Sequence, residues 1–237
     1  YSPSSVHSDL WVPVALGSDA ALALAMAQVI IEEKLYKPDF IREQTDMPFL
    51  VRTDTGKFLT EAHLKPNGKD DAFYMWDTKT NQIMDAPRKS LHLGDIVPAL
   101  EGTYQATTSE GNVQVQPVFE LLKEHVKDYT PEKASKITTT APSLIRKFAR
   151  DFAKAGAVTS LSTFNWGKYY NGNEIERAIH LLFGLCGHWG KRGSMCNGFT
   201  GLSADAIAGT NLLGGWDAIK EQLAKDPRYE GWKEDGW

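Results

Sequence analysis

The most continuous apolar stretch of the chain is 20–31, in which only Gln28 is polar. A segment with no polar face predicts a helix surrounded by protein on every side. Ahead of it, Trp11, Val12, Pro13 and Val14 form a short apolar, partly β-branched run. That run predicts a strand, with Pro13 marking an edge or an exit. Gly17 permits a sharp turn, Ser18 suits the N-cap and Asp19 puts a carboxylate in the first helical turn. Residues 11–33 thus predict strand, tight loop and buried helix, and the remaining chain is expected to be organised around them.

Periodicity places the other elements. Pro38 opens a short helix, PDFIREQT, with Phe40 and Ile41 as its apolar contacts. Residues 49–52 predict a brief strand. Over 53–116 the turn signals TDTGKF, KPNGKDD, DTKTNQ and SEGN separate short apolar pieces. This spacing predicts a surface excursion of β-hairpins and loops. From 117 the pattern becomes helical, with Val118, Leu121, Leu122 and Val126 in phase. Thr130 and Pro131 read as N-cap and first residue of the next helix. Another helix follows from Pro142, with Leu144, Ile145, Phe148, Ala149 and Phe152 on one face and Gly156 as the stop. Residues 157–163 predict a strand that feeds the loop 164–173. The helix 174–185 then buries Ile175, Ala178, Ile179, Leu182 and Phe183. Strand, loop and helix therefore occur twice. The expectation is an α/β fold with a mainly parallel, Rossmann-like sheet, helices on both faces and the β-rich excursion outside it. Both loops are expected at one sheet edge, within a single domain spanning 1–237.

Composition narrows the function. The 237 residues carry a net charge of -4, which argues against binding nucleic acid by neutralising its backbone. No run of eighteen apolar residues is present. The chain starts at Tyr1 and ends on GWKEDGW, which raises the expectation that it is a piece of a larger protein. Cys186 and Cys196 are the two cysteines. A disulfide between them stays open, and with His188 they fit no standard zinc spacing. Asp70, Asp71 and Asp77 form an acidic group read as a solvated loop in preference to a metal site, because no His or Cys lies at ligand spacing.

No dinucleotide fingerprint, phosphate loop or nucleophile elbow occurs. Two loops hold the candidate chemistry. At the first, the N–H groups of a helix start and the hydroxyl of Ser18 suit an anion, although Ser18 and Asp19 also suit plain capping. At the second, Asn165, Trp166, Gly167 and Lys168 offer amide, indole, backbone and ammonium donors; the alternative is a core tryptophan beside a solvated lysine. Glycines at 184, 187, 190, 193, 198 and 201 allow close backbone approach to a flat or phosphate-bearing ligand.

Three pieces in order, GSDAALALAMAQVIIEEKLYKPDFIREQTD, YTPEKASKITTTAPSLIRKFARDFAKAGA and NWGKYYNGNEIERAIHLLFGLCGHWGKRGS, resemble the catalytic subunit of molybdenum oxidoreductases of the dimethyl-sulfoxide-reductase family. The excursion at 53–116 resembles its second branch, which includes nitrate, nitrite, perchlorate, chlorate and selenate enzymes, dimethylsulfide dehydrogenase and ethylbenzene dehydrogenase. The resemblance implies a middle portion of a much longer subunit, with one guanine dinucleotide held at the sheet edge. The implied cofactor is molybdenum held by two molybdopterin guanine dinucleotides, with an iron–sulfur cluster in an N-terminal part not matched here. Two-electron redox would follow, as oxygen-atom transfer on a small oxyanion or hydroxylation of a hydrocarbon. The implied partners are the rest of the catalytic subunit, an iron–sulfur electron-transfer subunit and a haem subunit, without nucleic acid or a membrane span. The implied location is the periplasm, with the cytoplasmic membrane face as alternative. Gly17, Ser18 and Asp19 match the family's Pro-Gly-Thr-Asp loop, with Leu16 in place of its proline and Ser18 of its threonine. Ser4, Ser5 and His7 match a segment that meets nucleotide phosphate or ribose. Asn165, Trp166, Gly167 and Lys168 match a loop reaching toward pterin. Phe199, Thr200 and Gly201 match the pterin and entrance lining. No catalytic residue and no metal ligand falls within the chain on this match. The alternative function is a cofactor-binding module without catalysis of its own.

Overall fold

The computed structural model describes residues 3–87, 92–161 and 169–197. The chain divides into two units, Tyr1–Thr159 with Trp166–Cys196, and Ser160–Asn165 with Asn197–Trp237.

Helix α1 (Asp19–Glu32) is the centre of the first unit. It packs against α4 (Val118–Val126), α5 (Pro131–Thr138), α6 (Pro142–Lys154) and α7 (Gly172–Cys186). Ala25, Ala27 and Ile30 are completely buried, as the absence of a polar face requires. Ile145, Phe119, Leu182 and Leu185 close the same core around them. The one polar interruption, Gln28, is buried and donates through Nε2 to the Glu32 carboxylate. At the far end of α1, Arg150 grips Glu33 with two parallel bonds of 2.8 and 2.7 Å and holds that carboxyl below its usual range. Helix starts fall where proline fixes φ. Pro38 opens α2 (Pro38–Gln44), Pro131 opens α5 and Pro142 opens α6. Thr130 caps α5, its hydroxyl accepting from Lys133 N–H.

A second, smaller core belongs to the excursion. It contains Leu50, Leu59, Tyr74, Ala106 and Val115. Strands β1 (Leu50–Arg52), β5 (Gly111–Pro117) and β4 (Tyr104–Thr108) form one sheet in that order. Strands β2 (Tyr74–Asp77) and β3 (Gln82–Asp85) form a hairpin, and the one-turn helix α3 (Glu61–Leu64) lies between β1 and β2 in the chain. Trp76 stacks on Tyr104 at 4.3 Å and 14°. Arg52, nearly buried, holds Asp54 at 2.8 Å and Glu110 at 2.9 Å. The excursion is joined to the helical part through the backbone bond from Val118 N–H to Phe49 O, and beside it Phe119 N–H donates to Met47 O inside the larger core.

The α/β composition is as expected; the mainly parallel sheet is not what the described residues form. All three pairings of β1–β5, β4–β5 and β2–β3 are antiparallel. For two of the pairs the reason is local: turns at 78–81 and 109–110 fold β2 onto β3 and β4 onto β5, whereas parallel neighbours need a helical crossover between them. The third, β1–β5, is a long-range antiparallel pairing. The strand expected at 11–14 does not form either. Pro13 has no N–H, and the backbone of 13–15 bonds to the end of α5 instead. The strand expected at 157–163 is realised as β6 (Thr159–Leu161), paired with β7 (Met195–Asn197).

The acidic group at 70–77 is not one cluster. Asp70 and Asp71 are exposed, and Asp77 is buried. Asp77 accepts bonds from Val97 N–H (2.9 Å), Thr80 Oγ1 (2.8 Å), Thr80 N–H (3.1 Å) and Lys79 N–H (3.2 Å). The Val97 bond leads in holding its carboxyl at a pKa of about 2. It is the clamp of the β2–β3 turn. Among the described residues no group of His, Cys, Asp and Glu could hold a metal ion.

Candidate functional site

Helices α1 and α7 begin at the same end. The turn before α1 has Gly17 at φ +78°, and a Cβ built there would touch the Tyr169 ring at 3.5 Å. Tyr169 lies just before α7, and its carbonyl accepts from Gly172 N–H at 3.0 Å. At the opposite end Lys37 N–H, beyond α1, donates to Leu185 O at the close of α7 (2.8 Å). The two helices are therefore side by side and point the same way, and their positive dipole ends come together beside Gly17 and Tyr169. The start of α1 meets the described end of the second loop at Tyr169, while the pairs β1–β5, β2–β3 and β4–β5 are antiparallel and do not form the parallel sheet edge expected there.

The donors at this corner are specific. Asp19 and Ala20 contribute the first N–H groups of α1, which a helix leaves without internal acceptors. Ala21 and Leu22 N–H turn to Ser18 O at 3.0 and 3.3 Å. Ser18 does not cap through its side chain as expected; its hydroxyl donates back to Ala15 O at 2.7 Å and so tightens the turn. Asp19 is half-buried. Leu16 and Tyr170 stand fully out beside the corner, at 90% and 101% exposure, so it is rimmed by apolar side chains as well as lined by polar ones. A site that must meet both a charged and a flat apolar group has this composition.

The loop before α1 is held from behind. Ala15 N–H donates to Thr138 O at 2.8 Å, and Thr140 Oγ1 donates to Pro13 O. Thr138 and Thr140 are both completely buried. Between them Thr139 ends α5 at φ +63°, a left-handed backbone that a β-branched residue rarely adopts.

Of the expected site residues, the structure brings Gly17, Ser18 and Asp19 together on one turn. Ser4, Ser5 and His7 fall on the single 3-10 turn Pro3–His7, with His7 exposed. Asn165, Trp166, Gly167, Lys168, Phe199, Thr200 and Gly201 lie outside the described residues. The sequence marks Thr140 only as the residue before a helix start; the support that Thr138 and Thr140 give to residues 13–15 is not legible there, because those partners lie over a hundred positions away in the chain.

The remaining nucleophile and base are internal. Cys186 is buried and free, and desolvation pushes its thiol up to about 12. His188 is buried under the Phe152 and Phe183 rings. Its Nε2 lies 3.0 Å from Phe152 O, and its Nδ1 has no partner among the described residues. Burial leads in lowering its pKa. Neither has the access that catalysis or a metal needs.

No protein-family model matches the chain. Curated proteins do. The chain is 42% identical over 201 residues to the alpha subunit of dimethylsulfide dehydrogenase from Rhodovulum sulfidophilum, covering 82% of this chain and 22% of that protein. It is 43% identical over 207 residues to the alpha subunit of chlorate reductase from Ideonella dechloratans, covering 85% and 22%. It is 37% identical over 228 residues to the alpha subunit of perchlorate reductase from Dechloromonas aromatica, covering 85% and 25%. The chain thus spans about a fifth to a quarter of the length of these relatives.

Proposed function

We propose, from the premise that this chain belongs to the dimethyl-sulfoxide-reductase family of molybdoenzymes as a homologue of part of their catalytic alpha subunits, that it is the portion holding a guanine dinucleotide arm of the molybdenum cofactor. The observation that carries the reading is the meeting of two helix starts at Gly17 and Tyr169. Two co-directed dipoles and first-turn N–H groups stabilise pyrophosphate. The donor set fits the group in a second way. Asp19, half-buried beside these donors, can accept from the two adjacent N–H groups of a guanine edge. In the same proposal Ser4, Ser5 and His7 approach phosphate or ribose. Asn165, Trp166, Gly167 and Lys168, with Phe199, Thr200 and Gly201, approach pterin. The domain is 1–237, its nucleotide-binding sheet completed by strands from elsewhere in the subunit.

The metal, when bound, supplies two-electron redox, as oxygen-atom transfer on a small oxyanion or hydroxylation of an organic substrate. This chain's residues bind and orient. Gly17 gives the turn its left-handed backbone, Ser18 fixes that turn to Ala15, and the α1 and α7 starts balance phosphate charge. We extend the proposal to an iron–sulfur cluster elsewhere in the subunit, iron–sulfur and haem partner subunits, and a periplasmic location. Among the described residues no helix is long and apolar enough to cross a membrane.

The test is the protein purified from its source, analysed for intact mass, molybdenum and the guanosine monophosphate released by acid. The reading expects a mass several times 26.3 kDa, with molybdenum and guanine nucleotide in equal-order amounts. Gly17→Val should lower the nucleotide content, because a β-branched residue at φ +78° costs roughly 1–2 kcal/mol. A metal-free polypeptide of 26.3 kDa, or a Gly17→Val subunit with full nucleotide content, would sink it.

A further inference from the structure

Thr138, Thr139 and Thr140 are the least expected part of this corner. A helix end normally yields its left-handed position to glycine or asparagine, yet Thr139 occupies it at φ +63°. Strain of this kind persists only where the surroundings dictate the backbone. Here they do. Thr138 Oγ1 donates to Ala134 O at 2.9 Å and accepts from Thr140 N–H at 3.2 Å. Thr140 Oγ1 is thereby aimed out of α5 and donates to Pro13 O, while Thr138 O receives Ala15 N–H. Both side chains are sealed from solvent. Pro13 leaves its segment short of one N–H, so the loop depends on its carbonyl bond more than an ordinary loop would.

We infer that Thr140 is a positioning residue for the nucleotide corner, acting through the Pro13 carbonyl on the turn at Gly17 and the first N–H groups of α1. The inference rests on the proposed nucleotide reading, and it adds a component that touches no ligand. The connection is short: Thr140 fixes Pro13, Thr138 fixes Ala15, and Ala15 O receives both Ser18 N–H at 3.0 Å and Ser18 Oγ at 2.7 Å. Pro13 O and Ala15 N–H are thus tied to the end of α5 and the residues just after it, and Ala15 O ties Ser18 to them in turn. Without the Thr140 hydroxyl, the half-buried Pro13 loses the protein partner of its carbonyl, and the loop relaxes by moving, which carries Gly17 and Asp19 out of register with α7.

The experiment uses the full-length subunit with its partners, loaded with cofactor. The readout is the rate at which guanosine monophosphate, measured after acid release, is lost from the purified protein on incubation. Thr140→Val, which keeps the shape and removes the hydroxyl, should speed the loss about tenfold, as expected for one buried hydrogen bond. Thr140→Ser should restore the wild-type rate. Ile145→Val, in the same helical core but off this chain of bonds, should lose nucleotide at the wild-type rate. If Thr140→Val does not accumulate as folded protein, Thr140→Ala takes its place in the comparison. Wild-type retention in the hydroxyl-free variant, or equal loss in Ile145→Val, overturns the inference. The reading beneath it falls separately: Gly17→Val would then retain nucleotide as well.

Discussion

Thr139 shows how a single backbone angle can be at odds with its residue type. At φ +63° a threonine is disfavoured by roughly 1–2 kcal/mol, and a glycine in its place gives back roughly 0.5–1 kcal/mol in chain entropy. Thr139→Gly is therefore expected to stabilise the protein by about 1 kcal/mol, measured as a rise in the urea midpoint at unchanged slope. A fall in midpoint would show that the Thr139 hydroxyl bond to Thr138 O, at 2.6 Å, outweighs the strain. The same scale separates what the sequence disclosed from what it concealed. Gly17 was legible because only a turn explains a glycine ahead of a buried helix. The role of Asp77 was not, because its clamp includes Val97, twenty positions on, and an aspartate among turn residues reads as solvated. Ser18 carried a cap signal and makes a different bond, since Ala15 O lies within reach of its hydroxyl.

At the scale of elements, helix starts were legible wherever proline or threonine writes them into the chain, as at Thr130, Pro131 and Pro142. The strand at 11–14 failed because a strand is a property of two segments, and its backbone found α5 instead. The junction of α6 and α7 was not legible at all. His188 seals it, with Nε2 against Phe152 O at 3.0 Å and Nδ1 without a partner among the described residues. Protonating Nδ1 would bury a charge with no acceptor, and Lys191 and Lys37 nearby oppose it further. The folded-state pKa is thus below the ordinary 6.5. In acid the unfolded chain takes up the proton first, so this contribution to stability is present above about pH 6.5 and drains away as pH falls through the folded value. Thermal melts between about pH 7 and pH 5 should drop in the native protein, and His188→Gln should flatten that drop. An equally steep drop in the variant would assign the acid sensitivity to other groups.

The molecule as a whole keeps two hydrophobic cores. One surrounds α1 and backs the nucleotide corner; the other lies inside the excursion between β1, β2, β4 and β5. Their junction includes the backbone bond from Val118 N–H to Phe49 O and the bond from Arg42 Nε to Pro98 O at 3.0 Å. Separate cores imply that damage to one should not be felt equally by the other. Ile30 and Leu59 are both completely buried, one in each core. Ile30→Ala and Leu59→Ala should each cost about 2–5 kcal/mol in their own core. Their effects on the corner should differ. Removing Ile30 leaves a cavity under α1, which shifts the helix whose start faces α7. Removing Leu59 loosens strands that reach the α1 start at one remove, through β5 and α4 and through α2. In the cofactor-loaded subunit, Ile30→Ala should therefore shed guanine nucleotide faster than Leu59→Ala at equal loss of thermal stability. Equal shedding would mean that the excursion and the helical core unfold as one unit, and that the nucleotide corner reports global stability alone.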